Sequence, residues 1–299
     1  SVMFLLAEPE FHRYQAVLKE LNIFDQFSER AGFDVLLNRG IHFRNIENQD
    51  GSRHVSVTVT YKVAAEIGSL GDNVNFLREQ IRDDVLLQTL VTVPYIFHTV
   101  LSHTRWASVG AITEANCHPV DNRLVDAEEG GGWIHVCLNG DIDNFMELKT
   151  HFEETGGDIH KDISTDTKMI PLQIGKYIHQ GFGIEEAFRR SLNDFQGSHA
   201  IAMHTDLAPG KLFLGQRGSG QAIFVGIGKD HYLCTSEVYG FVEETDSFIK
   251  MDGDLVVSGK NGKTQGQIFI LDQASAGGLE GIQAMFYDGT PIHLQEKDI

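Results

Sequence analysis

Apolar residues at Tyr14, Val17, Leu18, Leu21 and Phe24 recur at close to 3.6-residue spacing, with Lys19, Glu20 and Gln26 on the other side. The pattern predicts one helix from Phe11 to Phe27. After a turn at Asn48-Gln-Asp-Gly51, Val55, Val57 and Val59 alternate with Ser56, Thr58 and Thr60, as in a half-exposed strand. Asp72 or Asn73 caps a helix that runs through Phe76, Leu77 and Ile81 toward Leu90. A buried strand from Trp133 to Leu138 stops at Asn139-Gly140, a pair that favours tight turns with positive φ. Phe145–Thr155 is a helix closed by Gly156-Gly157, and helices follow from Asp166 through Ile178 and over Ile184–Leu192. From His199 the period changes to two, giving short strands at 200–203, 212–214, 222–225, 231–234, 248–249 and 266–271. Residues 274–299 read as an irregular tail or linker toward a further domain.

Strands that do not alternate regularly with helices argue against a parallel dinucleotide-binding sheet. They point to a layered α+β sandwich. The 299 residues suffice for a substantial core, and the pattern divides them into a diverged segment at 1–53, a core at 54–273 and the tail. A net charge of −18 argues against nucleic acid or an anionic membrane as partner. Three cysteines, an odd and sparse count, fit a reducing cytoplasm. The run at 85–101 is interrupted by Gln88, Pro94 and His98 and is not expected to span a bilayer.

Candidate chemistry concentrates between His103 and Asp166. A site that hydrolyses an amino acid's side-chain amide needs a cation for the α-carboxylate, an anion for the α-ammonium and N–H donors for the oxyanion. Arg105 offers a planar fork, Asp166 the counter-charge, Asn139 a side-chain N–H and Gly140 a backbone N–H. Taken singly, each has a simpler reading: Arg105-Trp106 as a cation–π pair, Asn139-Gly140 as a turn, Asp166 as a helix cap.

In order, His103-Thr-Arg-Trp-Ala-Ser108, Asn116-Cys-His-Pro119, Leu138-Asn-Gly-Asp-Ile-Asp-Asn-Phe-Met-Glu-Leu-Lys149 and Ser164-Thr-Asp-Thr167 resemble the motifs of the class II glutamine amidotransferases. Among these, the glutaminase domain of glucosamine-6-phosphate synthases is the most similar. The resemblance covers roughly residues 63–271, and Arg217-Gly-Ser-Gly220 and Tyr232–Glu237 resemble later strands of that family. It implies a four-layer αββα sandwich of the N-terminal-nucleophile hydrolase type and an enzyme that releases ammonia from glutamine. Arg105 would hold the glutamine carboxylate, Asp166 its ammonium, and Asn139 and Gly140 the oxyanion. Trp106, Ser108 and the loop through Gly110 would close over the substrate. No cofactor and no metal are implied. The partners implied are glutamine and a downstream sugar-phosphate isomerase domain that would take up the ammonia for a sugar phosphate; a homodimer is compatible with this.

The departures concern the nucleophile. The family begins Cys-Gly-Ile, whereas this chain begins Ser1-Val-Met-Phe. Three explanations stand: the cysteine lies upstream, Ser1 replaces it, or the domain is a non-catalytic glutamine-binding scaffold. Where the family's loop carries Thr and His, this chain has Ser108 and Val109. Arg30-Ala-Gly-Phe-Asp34 only partly echoes another family run. Cys137, in a buried strand, is expected to be inert. A zinc reading from Cys117, His118, His135 and Cys137 is disfavoured, because the adjacent Cys117 and His118 do not readily chelate one ion.

Overall fold

The computed structural model describes residues 1–32, 36, 38–64, 71–105, 108–124, 131–260, 262–275 and 277–299. It contains two compact units. The first comprises Ser1–His135, Gly157–Thr165 and His204–Pro209; the second comprises Val136–Gly156, Asp166–Met203 and Gly210–Ile299.

The first unit contains β1 (Val2–Ala7), α1 (Glu8–Glu20), α2 (Phe24–Arg30), β2 (Ile41–Glu47) and β3 (Arg53–Val59). It continues with α3 (Asp72–Asp83), α4 (Val85–Leu90), β4 (Phe97–Val100) and β5 (Val120–Asp121). The sheet order is β2-β3-β1-β4, antiparallel throughout, with Val2 opposite Val59 on one side and Val100 on the other. Leu6, Tyr14, Leu18, Phe27, Val57 and Leu86 form the core beneath it. Residues 1–53 therefore share one sheet and one core with β3.

Three sequence expectations change here. The helix predicted over 11–27 is two helices, because Asn22 adopts φ 56°, a left-handed conformation that asparagine tolerates and a helix interior does not. The break turns Phe27 back onto Phe11 and Tyr14, at ring separations of 6.3 and 5.8 Å. The helix predicted from Asp72 to Leu90 also breaks, at Asp84. That carboxylate caps α4 by accepting from Leu86 N at 3.1 Å and takes the fork of Arg30 at 2.8 and 2.7 Å, with the Tyr61 hydroxyl as a further donor. Finally, β3 is not half-exposed. It lies between two strands, and Ser56 and Thr58 are as buried as its valines.

In chain order the next elements are β6 (Ile134–Gly140), whose first two residues belong to the first unit, then α5 (Phe145–Glu154), α6 (Met169–His179) and α7 (Ile184–Asp194). The strands β7 (His199–Thr205), β8 (Lys211–Arg217), β9 (Phe224–Ile227), β10 (Tyr232–Thr235) and β11 (Phe248–Lys250) follow. The last are β12 (Val256–Gly259), β13 (Gly262–Gln265), β14 (Gln267–Asp272), β15 (Ile282–Phe286) and β16 (Pro291–Ile292). In the second unit the main sheet runs β16-β15-β14-β8-β7-β6, beside a small β10-β9-β11 sheet and the β12-β13 hairpin. Leu214, Val225, Ile249, Phe269 and Leu271 form the core of this unit. The predicted irregular tail is partly regular, since β15 pairs with β14 (Phe269 opposite Ala284) and extends the sheet. Gly156 closes α5 as predicted, at φ 94°.

The fold is α+β: antiparallel sheets and helices that do not alternate. Among the described residues, no helix is long and apolar enough to cross a membrane.

Candidate active site

The last two residues of β6 are Asn139 and Gly140. Gly140 sits at φ 92°, and a Cβ there would lie 2.2 Å from the Ser198 carbonyl oxygen, so both backbone conformation and space require glycine. The turn beyond it is clamped to the segment before β7. Asp141 N donates to Ser198 O at 3.4 Å and Asp143 N to Gln196 O at 3.0 Å. The Ser198 hydroxyl donates to Arg217 O at 3.3 Å and accepts from Gly220 N at 3.2 Å, which brings Arg217-Gly-Ser-Gly220 against the same segment. Sequence reading noted that tetrad only as a similarity and missed Ser198, whose role depends on contacts between distant segments.

Asp166 is 4% exposed and begins a short 3-10 turn ahead of α6. Its carboxylate accepts from Ile142 N at 2.9 Å and Thr167 N at 2.8 Å. Of the residues singled out from sequence, Asn139, Gly140 and Asp166 thus meet around one turn in the second unit.

Arg105 and Ser108 belong to the first unit, and Trp106 lies outside the described residues. The Arg105 guanidinium donates to the carbonyl oxygens of Val109 and of Ala111, the latter at 3.2 Å, curling the following loop around itself. Ser108 is exposed on that loop. Ala111 N donates to Ser164 Oγ at 3.3 Å, and Gly110, at φ 85°, is so close to Ser164 that a Cβ added to it would lie 3.0 Å away. Behind the loop, Asn116 is fully buried. Its Oδ1 accepts from Ser164 N at 2.7 Å and Thr165 N at 3.0 Å, while its Nδ2 donates to Thr113 Oγ1 at 2.9 Å and Asp162 O at 3.1 Å. Sequence reading treated Asn116 as one member of a motif; the structure makes it the tie between two of them.

Beside Arg105 is a cavity of about 240 Å³ whose polar lining includes Lys62, His103, Thr104 and His118. It is smaller than the about 300–1,000 Å³ typical for drug-sized ligands, a scale that suits a small metabolite. Burial holds His118 well below the usual imidazole range, and its neighbours His103, Arg105 and Lys62 push it the same way. In a chain of net charge −18, Arg105 and Lys62 bring two cationic side chains to this cavity.

No family model matches the chain. Among curated proteins, it is 31% identical over 172 residues to the glutamine–fructose-6-phosphate aminotransferase (isomerizing) of Methanothermobacter thermautotrophicus, covering 55% of this chain and 27% of that one. To the enzyme of the same name from Thermococcus kodakarensis it is 30% identical over 192 residues, 64% of this chain and 30% of the relative. The Streptococcus mutans counterpart gives 26% over 198 residues, covering 66% and 28%. These relatives match the resemblance to the class II glutamine amidotransferases seen in the sequence motifs. The chain spans about a quarter to a third of the length of these relatives. It also aligns with the glutamine phosphoribosylpyrophosphate amidotransferase of B. subtilis at TM-score 0.49 and 16% identity, over 96% of this chain and 49% of that one, a likeness too low to carry an inference.

The described thiols are unpromising nucleophiles. Cys137 is buried in β6, burial pushes the Cys234 thiol up to about 12, and burial likewise raises Cys117. Ser1 is differently placed. Its amino group donates to Leu101 O at 2.8 Å, and its hydroxyl shares a hydrogen bond with His204 Nε2 at 2.9 Å, whose Nδ1 in turn meets Thr99 Oγ1 at 2.9 Å. Among the described residues, the cluster geometrically able to hold a metal takes only His135 from the disfavoured zinc reading, together with His42 and Asp121.

Proposed function

We propose that this chain is the glutamine-hydrolysing part of an amidotransferase of the glucosamine-6-phosphate-synthase type. Glutamine is bound by Arg105 at its α-carboxylate and by Asp166 at its α-ammonium. The side chain of Asn139 and the backbone N–H of Gly140 face the oxyanion as the δ-amide is attacked, and ammonia leaves. Trp106 and Ser108 close over the substrate, and the ammonia goes to a sugar-phosphate isomerase domain of the full-length protein. The observation that carries this reading is the Asp166 carboxylate held 2.9 Å from Ile142 N, beside a turn at which Gly140 is sterically obligatory.

An N-terminal nucleophile with its own α-amine as base completes the reaction through an acyl intermediate. A glutamine-binding scaffold without turnover is the second reading. It is favoured by the described thiols: burial raises Cys117 and Cys234 away from the thiolate form, and Cys137 is buried in β6.

The test is glutamine binding by calorimetry, followed by glutamate and ammonia release from the full-length protein. Binding with turnover supports the enzyme, and binding without turnover selects the scaffold. Glutamine binding unchanged by Arg105→Ala refutes the assignment of the pocket.

A further inference from the structure

His42, Asp121 and His135 reach one another from three strands, β2, β5 and β6, within the first unit. His42 is 6% exposed and His135 1%, while Asp121 stands at the rim with its side chain 20% exposed. His42 Nδ1 lies 3.2 Å from His135 Nε2, and His42 Nε2 lies 3.9 Å from Asp121 Oδ2. One ligand-type atom from each of the three falls within 4.8 Å of the others.

We propose that these three side chains bind a divalent transition-metal ion of the zinc class. The donor set is two imidazoles and one carboxylate, which suits a borderline ion and leaves a coordination position open to water. Metal–nitrogen bonds of about 2.0–2.1 Å place two tetrahedral ligand nitrogens about 3.3 Å apart, close to the separation of the two imidazoles. The carboxylate closes the remaining span by a side-chain rotation at the rim.

Two further observations support the site. The His42 ring is stacked on Trp133 at 3.9 Å, which fixes its plane, as metal-ligating imidazoles generally require. Hydrogen bonding within the cluster leaves His135 Nδ1 buried without a partner among the described residues, so it does not account for all of the polar atoms there.

The proposal is independent of glutamine binding, because none of the three residues is assigned to that chemistry. The test strips the purified full chain with a chelator and titrates it with Co²⁺ and with Zn²⁺. One equivalent of Co²⁺ is expected to bind with visible d–d absorption, Zn²⁺ to displace it, and Zn²⁺ to raise the melting temperature. Asp121→Asn, close in size and at the rim, is expected to fold and to bind Co²⁺ at least about tenfold more weakly. His42→Gln is expected to abolish the absorption. Absence of absorption and of a Zn²⁺-dependent melting shift in a folded wild-type chain overturns the site. So does Co²⁺ affinity unchanged in folded Asp121→Asn.

Discussion

The carboxylate of Asp166 and the backbone N–H of Ile142 are joined by a 2.9 Å hydrogen bond that ties the start of the α6 segment to the turn after Asn139-Gly140. One carboxylate thus has two tasks, shaping the turn and presenting negative charge beside it.

Asp166→Asn keeps one acceptor oxygen for Ile142 N but loses the charge and the second oxygen, which accepts from Thr167 N. A charge-assisted hydrogen bond contributes about 1.5–3 kcal/mol, so glutamine affinity is expected to fall at least about tenfold. Calorimetry alongside a thermal melt reads both effects. An unchanged affinity in a folded variant removes Asp166 from the site.

At Gly140 an added methyl group meets the Ser198 carbonyl oxygen at 2.2 Å in a left-handed backbone conformation. Gly140→Ala is expected to cost about 3 kcal/mol in strain and overpacking and to abolish turnover by displacing the backbone N–H. Urea unfolding measures the first and the glutaminase assay the second. A variant with wild-type stability contradicts this geometry.

Asn116→Ala removes four hydrogen bonds at a fully buried position and leaves the Ser164 and Thr165 N–H groups without their acceptor. The expected loss is about 3–5 kcal/mol, with faster amide exchange at Ser164 and Thr165 read by hydrogen–deuterium mass spectrometry. Exchange that stays at the wild-type rate there rules out Asn116 as the tie.

Acid is expected to act in two stages. Burial, aided by the charge of Arg217, pushes His199 down to about 4 from an ordinary 6.5. Between those values the unfolded chain binds a proton that the folded chain does not, so stability is lost as the pH falls through that window. Asp84 behaves differently. Burial alone would raise it, but the hydrogen bonds from Arg30 and Tyr61 and the charges of Arg30 and Arg39 outweigh burial and hold it below 3.8. Its contribution is complete above about 3.8 and disappears only as the pH falls through its lower folded value. Denaturation across pH should show a shallower first stage in His199→Gln. Asp84→Asn should be about 3–5 kcal/mol less stable at neutral pH and lack the second stage. An unchanged first stage in His199→Gln would falsify the assignment of that window to His199.

Parts of the fold around the candidate site were legible from local chemistry. An apolar strand ending in Asn139-Gly140, and a helix closed by Gly156, follow from short-range rules that the fold obeys. The helix breaks were less legible. Apolar spacing continues through Asp84, and only partners distant in sequence, Arg30 54 residues away and Tyr61 23 residues away, explain why the helix stops there for a buried carboxylate. His42 and Asp121 were missed for the same reason. They sit on separate strands, and only tertiary pairing brings them to His135. Ser198 and Asn116 act through backbone groups of other segments, a role that residue type alone does not announce.

The place of β1 has a consequence for biosynthesis. This apolar strand is interior to its sheet, yet its partners are β3, ending at Val59, and β4, ending at Val100. In a chain made from its amino end, Leu5 and Leu6 emerge long before either flank exists. The strand stays unpaired on one side until β4, about one hundred residues further along the chain, has followed it. The interval in which the nascent chain is most prone to aggregate is therefore set by the arrival of β4.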